Sequence, residues 1–164
     1  MIKFEKISRE QWERDLNALL VPFMASFSYD NVKIPTRATR NASGHDFVTP
    51  FAFDLAPGES ITIPTGIRMV TDQQVWLLAM PRSGLGCKYR LQLDNTVGNV
   101  DGDYWESDNE GHIFAKITND GKEGKKLELN AGDRFMQGVI LPYFKTDDDD
   151  VRTPRNGGHG STGK

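Results

Sequence analysis

The sequence predicts an all-β domain of jelly-roll type, a sandwich or distorted barrel, with one N-terminal α-helix and a flexible glycine-rich C-terminal arm. Three observations carry this reading. Apolar residues after position 33 fall in short runs, several of them alternating, such as Ile61/Ile63 and Ile113/Ala115/Ile117. Glycine and proline punctuate those runs at intervals that suit turns between short strands. With 164 residues and 37% hydrophobic content, the chain can bury one core of its own.

Residues 1–33 read as a helical extension, with the helix over 8–20. Ser8 and Gln11 have capping-box spacing, Ile7 and Trp12 suit a hydrophobic staple, and Trp12, Leu16, Leu19, Leu20 and Phe23 fall on one stripe that Pro22 ends. Residues 34–146 form the β domain. Its expected strands are Phe47–Asp54, Ser60–Pro64, Ile67–Val70, Val75–Met80, Tyr89–Leu93, His112–Thr118, Lys126–Leu129 and Arg134–Phe144. Val75–Met80 is almost entirely apolar, which predicts a strand buried on both faces. Asn95–Tyr104 holds an Asp-Gly pair, a hairpin signal, with Asp101 and Asp103 at the tip and Tyr104 behind them. Residues 147–164 begin with four aspartates and continue polar and glycine-rich, as an acidic tether and mobile arm.

A net charge of −3 and a pI near 5.6 argue against a surface that coats nucleic acid and favour a small partner. Cys87 is the single cysteine, which excludes an intrachain disulfide and fits a reducing cytoplasm. No apolar run approaches the roughly 20 residues of a membrane span, and Met1–Lys6 lacks the apolar centre of a signal peptide. The Asn41-Ala42-Ser43 sequon is accordingly expected to be idle.

Several segments suit a polyphosphate. Arg82-Ser83-Gly84 sets a cation, a hydroxyl and an unhindered amide side by side after Pro81. Gly132-Asp133-Arg134 with Gln137, Gly44 with Asp46, and the tail residues Arg155, Gly157, Gly158 and His159 repeat that chemistry. Gly158–Lys164 imitates the start of a P-loop, but neither the following Ser/Thr nor the helix is there to complete it.

In this order and spacing the segments resemble the five motifs of the trimeric dUTPase family: Ala42–Phe47 (ASGHDF), Pro81–Gly86 (PRSGLG), Val97–Tyr104 (VGNVDGDY, preceded by Asn95), Gly132–Gln137 (GDRFMQ) and Gly157–Gly163 (GGHGSTG). The resemblance spans residues 34–163. It implies hydrolysis of dUTP to dUMP and pyrophosphate by water attack on the α-phosphorus, which keeps uracil out of DNA and supplies dUMP for thymidylate synthesis. Asp101 matches the base that activates the water. Tyr104 matches the ring beneath the deoxyribose, and Asn95 with the backbone around Val100 matches the surface that reads uracil. Arg82, Ser83, Gly84 and Gln137 match phosphate-holding positions, and Gly160 and Ser161 belong to the arm that closes over the nucleotide. Mg²⁺ is expected on the substrate phosphates, with no direct protein ligand and Asp46 as a candidate at its water shell. A homotrimer with shared sites is implied.

The chain departs from the pattern in places. His159 stands where the family most often has a stacking phenylalanine. Arg155 and Arg152 lie four and seven residues before it instead of the usual five, so either could meet the γ-phosphate. Trp105–Glu110 is longer and more acidic than the usual return, and Asn99 replaces an apolar position. The competing readings are a dCTP deaminase of the same fold, which the Asp101-Gly102-Asp103-Tyr104 pattern disfavours, and a nucleotide-gated regulator that binds a protein partner.

Overall fold

The computed structural model describes residues 1–19 and 28–158. Its strands are β1 (Ile2–Lys6), β2 (Thr36–Arg37), β3 (Gly44–Val48), β4 (Phe53–Leu55), β5 (Ser60–Pro64), β6 (Ile67–Thr71), β7 (Val75–Pro81), β8 (Leu91–Leu93), β9 (Gly98–Val100), β10 (Phe114–Asn119), β11 (Leu127–Leu129) and β12 (Arg134–Pro142). Helix α1 (Arg9–Ala18) lies between β1 and β2, and a short helix α2 (Ser83–Tyr89) lies between β7 and β8. The largest sheet has the order β2-β3-β12-β7-β9. A second runs β5-β10-β8, and β1–β6 and β4–β11 pair as two-stranded ribbons, every pairing antiparallel. The expected jelly-roll is present.

Period-2 patterning sets the layers. In β7, Val75, Leu77 and Ala79 are buried, while Trp76, Leu78 and Met80 on the opposite face are half-buried. This corrects the expectation of a strand buried on both faces. Across the sheet Gln137 pairs with Met80, Val139 with Leu78 and Leu141 with Trp76, so those residues share the outer face. The inner faces, α1 and the β4 ribbon meet in one core that includes Phe47, Leu55, Ile63, Leu77, Ile117, Leu127 and Phe135. Asn119 is fully buried there and satisfied. Its amide nitrogen donates to the carbonyls of Leu55 and Lys125, and its oxygen accepts from Gly121 N–H.

Four expectations change. Phe47–Asp54 divides into β3 and β4 around Pro50, which cannot donate to a ladder, and β3 starts earlier, at Gly44. The 82–84 segment opens helix α2, so the expected Tyr89–Leu93 strand shrinks to β8 after Arg90 caps the helix in the left-handed region at φ 48°. Asp101-Gly102 is a turn into a 3₁₀ segment, Tyr104–Glu106, and not the tip of a hairpin; β9 pairs with β7 instead. Glycine is required at 102 by proximity, since a Cβ there would stand 2.5 Å from the Val75 carbonyl.

The N-terminal segment is also more than an external helix. Its first residues form β1 against β6, and Ile7, Trp12, Leu16 and Val32 enter the main core. Ser8 caps α1 through Gln11 N–H at 3.1 Å, as its position in the capping box predicts. The reciprocal bond does not come from Gln11, whose side chain turns to Asp15 and Arg14. It comes from Glu110, which accepts from Ser8 N–H at 2.8 Å and from Ser8 Oγ–H at 2.5 Å. Leu19 is the C-cap; Leu20, Pro22 and Phe23 of the expected stripe lie outside the described residues.

Burial pushes the Glu110 carboxyl up, but the two Ser8 bonds and the charges of Arg68 and Arg14 outweigh it, so the group titrates below the ordinary 4.5 of a glutamate. A depressed folded-state value means stability that is present above about 4.5 and is lost as pH falls through the lower folded value. Glu110→Gln should therefore lower unfolding free energy at pH 7 by roughly 1–3 kcal/mol, the range for a bond to a charged group. The gap to the parent should close as pH drops well below 4.5, as read from urea melts across pH.

Candidate active site

Two polar clusters lie at opposite ends of β7. At its C-terminal end the chain passes from Pro81 into α2, whose first turn closes on the Arg82 carbonyl through Leu85 and Gly86 N–H. Ser83 and Gly84 are exposed at the start of that turn, where backbone N–H groups lack helical partners. Two glycines in seven residues hid this helix from pattern reading, because each lowers helix propensity. Next to it, Asp46 on β3 takes Arg82 Nε on one oxygen and Arg134 Nη1 on the other, both at 3.0 Å. One buried carboxylate thus sets two guanidinium groups side by side and leaves the trio with one net positive charge. Gln137 extends over Gly44, where a Cβ would meet its Oε1 at 2.6 Å.

At the other end, a cavity of about 270 Å³ is lined by Asn95, Gly98, Asn99, Val100, Asp101, Tyr104, Ile113, Phe114, Arg155 and Gly158. Tyr104 is buried, at 7% exposure, and its burial pushes the phenol pKa up, so the ring is neutral at physiological pH. Asp101 stands at the mouth, where one oxygen accepts from Asn99 Nδ2 at 3.3 Å and the other pairs with Arg155. Arg155 also donates to the Gly157 carbonyl at 2.9 Å and sets its guanidinium 5.5 Å from the Tyr104 ring centre. The described part of the arm therefore folds over this cavity. Among the described residues β9, the last strand of its sheet, pairs only with β7, which leaves its outer peptide edge beside the cavity.

Asp101 and Arg82 stand well apart within one chain. Gly102 lies against Val75, whereas Arg82 follows Pro81, which separates them by more than about 20 Å at the strand rise. Among the described residues, no three His, Cys, Asp or Glu side chains are grouped to hold a metal ion.

The dUTPase family profile matches residues 30–163 of this chain. The chain belongs to the dUTPase family. It is 36% identical over 135 residues to the deoxyuridine 5'-triphosphate nucleotidohydrolase of Lactococcus lactis subsp. lactis (strain IL1403), covering 80% of this chain and 89% of that one. The crystal structure of the Streptococcus mutans dUTPase superposes with a TM-score of 0.67 and 30% identity, covering 88% and 98% of the two chains. A mutant dUTPase from phage phi11 of S. aureus, described for its coordination of a structural Mg(II) ion, shares the fold at a TM-score of 0.64 and 18% identity over 93% and 97%.

Against the dUTPase motifs, the structure gathers Asp101, Tyr104, Asn95, Val100 and Arg155 at one cavity and Arg82, Ser83, Gly84 and Gln137 at the other cluster. His159, Gly160 and Ser161 lie outside the described residues. Asp46 sits in β3 with one oxygen on Arg82 and the other on Arg134. Of the two arginines left open, Arg155 is on Asp101 while Arg152 lines a larger outer cleft. Asn99, Ile113 and Phe114 line the cavity without having been expected there, whereas Arg134 was expected beside a polyphosphate as part of the Gly132-Asp133-Arg134 segment.

Gly158 presses on Tyr104 so closely that a Cβ would stand 2.7 Å from the ring. Gly158→Ala should lift the arm, and tryptic cleavage after Arg155 should accelerate about tenfold, in line with an overpacking cost near 1–2 kcal/mol. Mass spectrometry of timed digests reads the effect.

Proposed function

We infer that the chain hydrolyses dUTP to dUMP and pyrophosphate in a site completed by a neighbouring copy within a homotrimer. The observation that carries this is a carboxylate, Asp101, at the mouth of a slot floored by Tyr104 and edged by the free side of β9. A planar base fits against such an edge. A peptide N–H facing O4 and a carbonyl facing N3–H accept uracil and reject cytosine, whose donor and acceptor are reversed there. Asn95 adds an amide at the same rim. Tyr104 beneath the sugar leaves no room for a 2'-hydroxyl.

The triphosphate then extends toward the Arg82, Ser83, Gly84 and Gln137 cluster of a second subunit. The distance of Asp101 from Arg82 along β7 supports this. The half-buried outer face of Trp76, Leu78, Met80, Val139 and Leu141 offers apolar surface for subunit contact. Asp46 holds Arg82 and Arg134 in advance, so little reorganisation accompanies charge building on the leaving pyrophosphate. Asp101 accepts the proton of the attacking water once the arriving phosphates draw Arg155 away from it. Mg²⁺ enters as part of the substrate, offsetting phosphate charge. The exposed, unpaired Cys87 suits a cytoplasmic setting.

Pyrophosphate release should be seen with dUTP and not with UTP, dCTP or dTTP. Asp101→Asn should lower kcat about 10²–10⁴-fold with binding retained, the range for general-base removal. Loss of binding together with activity, or equal turnover of all four nucleotides, would overturn the assignment. For the shared site, Asp101→Asn and Arg82→Ala chains, each inactive alone, should regain about a quarter of parental activity when unfolded together and refolded at equal amounts. One pairing in four then unites an intact Asp101 with an intact Arg82. No recovery would place both residues in a site built by one chain.

A further inference from the structure

Tyr104 is held by residues outside the five motifs. Its hydroxyl donates to the His112 carbonyl at 3.2 Å and accepts from Asn109 Nδ2 at 2.8 Å. The oxygen of Asn109 serves separately, accepting Gly111 N–H at 3.1 Å and closing the turn in which Glu110 and Gly111 have φ of 57° and 71°. His112, fully buried, is fixed in turn. Its Nε2 accepts from Gly66 N–H at 2.8 Å, which puts the ring proton on Nδ1, facing Asp15 Oδ2 of α1 at 2.6 Å. The ring that floors the cavity is therefore tied to α1 and β6 through its hydroxyl, at the edge of the ring.

A ring that only stacks can tilt or slide by the few tenths of an ångström that separate a hydrogen from a hydroxyl at the sugar 2' position. Two hydrogen bonds on its hydroxyl remove that freedom. We propose that Asn109 is a positioning residue for sugar selection: by fixing the height of the Tyr104 ring it sets how strongly the site rejects a ribonucleotide. The proposal rests on the assigned dUTP chemistry and adds a residue of the 105–111 segment to it.

Asn109→Ser separates the two functions of the side chain, since its hydroxyl keeps an acceptor for Gly111 N–H and is too short to reach Tyr104. The measurement is kcat/KM for dUTP over that for UTP in the parent, Asn109→Ser, Asn109→Ala, Tyr104→Phe and the double variant Asn109→Ser/Tyr104→Phe, with a thermal melt of each. Both Asn109 variants should lose about tenfold in the ratio, the fold-change of one hydrogen bond. In the Tyr104→Phe background Asn109→Ser should change nothing further, because its partner is gone. An unchanged ratio with a lowered melting temperature would overturn the proposal, leaving Asn109 a turn residue. An equal loss in the Phe background would also overturn it, since the effect would bypass Tyr104. Failure of the underlying function shows elsewhere: a parent that turns over UTP as well as dUTP removes the sugar role of Tyr104 altogether.

Discussion

The antiparallel register of β7 between β12 and β9 is the constraint on which the rest of the architecture turns. It puts Val100 opposite Leu77 and Gln137 opposite Met80, so Asp101 lies beside the first half of β7 while Arg82 and Gln137 gather at its C-terminal end. A slip by one residue would send Leu77 and Ala79 outward and expose the core. The register is thus held by hydrophobic burial, and the separation of the two clusters follows from it. The shared site proposed above follows the same logic, since repeating one chain about an axis brings unlike ends together.

The electrostatic arrangement of each end is settled before a nucleotide arrives. Asp46 consumes one of two positive charges and fixes both arginines, while Arg155 neutralises Asp101 across the mouth of the cavity. Each end therefore holds its charged groups paired, with one positive charge left over in the Asp46 trio.

Sequence alone disclosed the strands whose alternation is clean, such as β5 and β10, and the five motifs, of which Arg82, Asp46 and Arg134 meet in one cluster and Asn95, Val100, Asp101 and Tyr104 line one cavity. The helix start at Ser8 was legible too. What sequence hid was long-range. The partner that completes the Ser8 cap is Glu110, not Gln11, and a pairing 102 residues apart leaves no local trace. β1 does alternate, with Ile2 and Phe4 between Lys3 and Glu5, but five residues next to a strong helix signal are easily absorbed into it. The Asp101-Gly102 pair misled because Asp-Gly usually marks a positive-φ hairpin turn, whereas here the glycine answers to the Val75 carbonyl. Asn99, Ile113 and Phe114 reach the cavity only through strand placement, which residue type does not encode.

The ties of the N-terminal segment have a consequence for how the chain acquires its structure. Ile2 pairs with Thr71, Asp15 with His112 and Ser8 with Glu110, so these residues leave the ribosome well before the partners that hold them. Loop closure across about a hundred residues must precede the full burial of Trp12 and Leu16. A segment made early is in this way the keystone, set after the arch is standing.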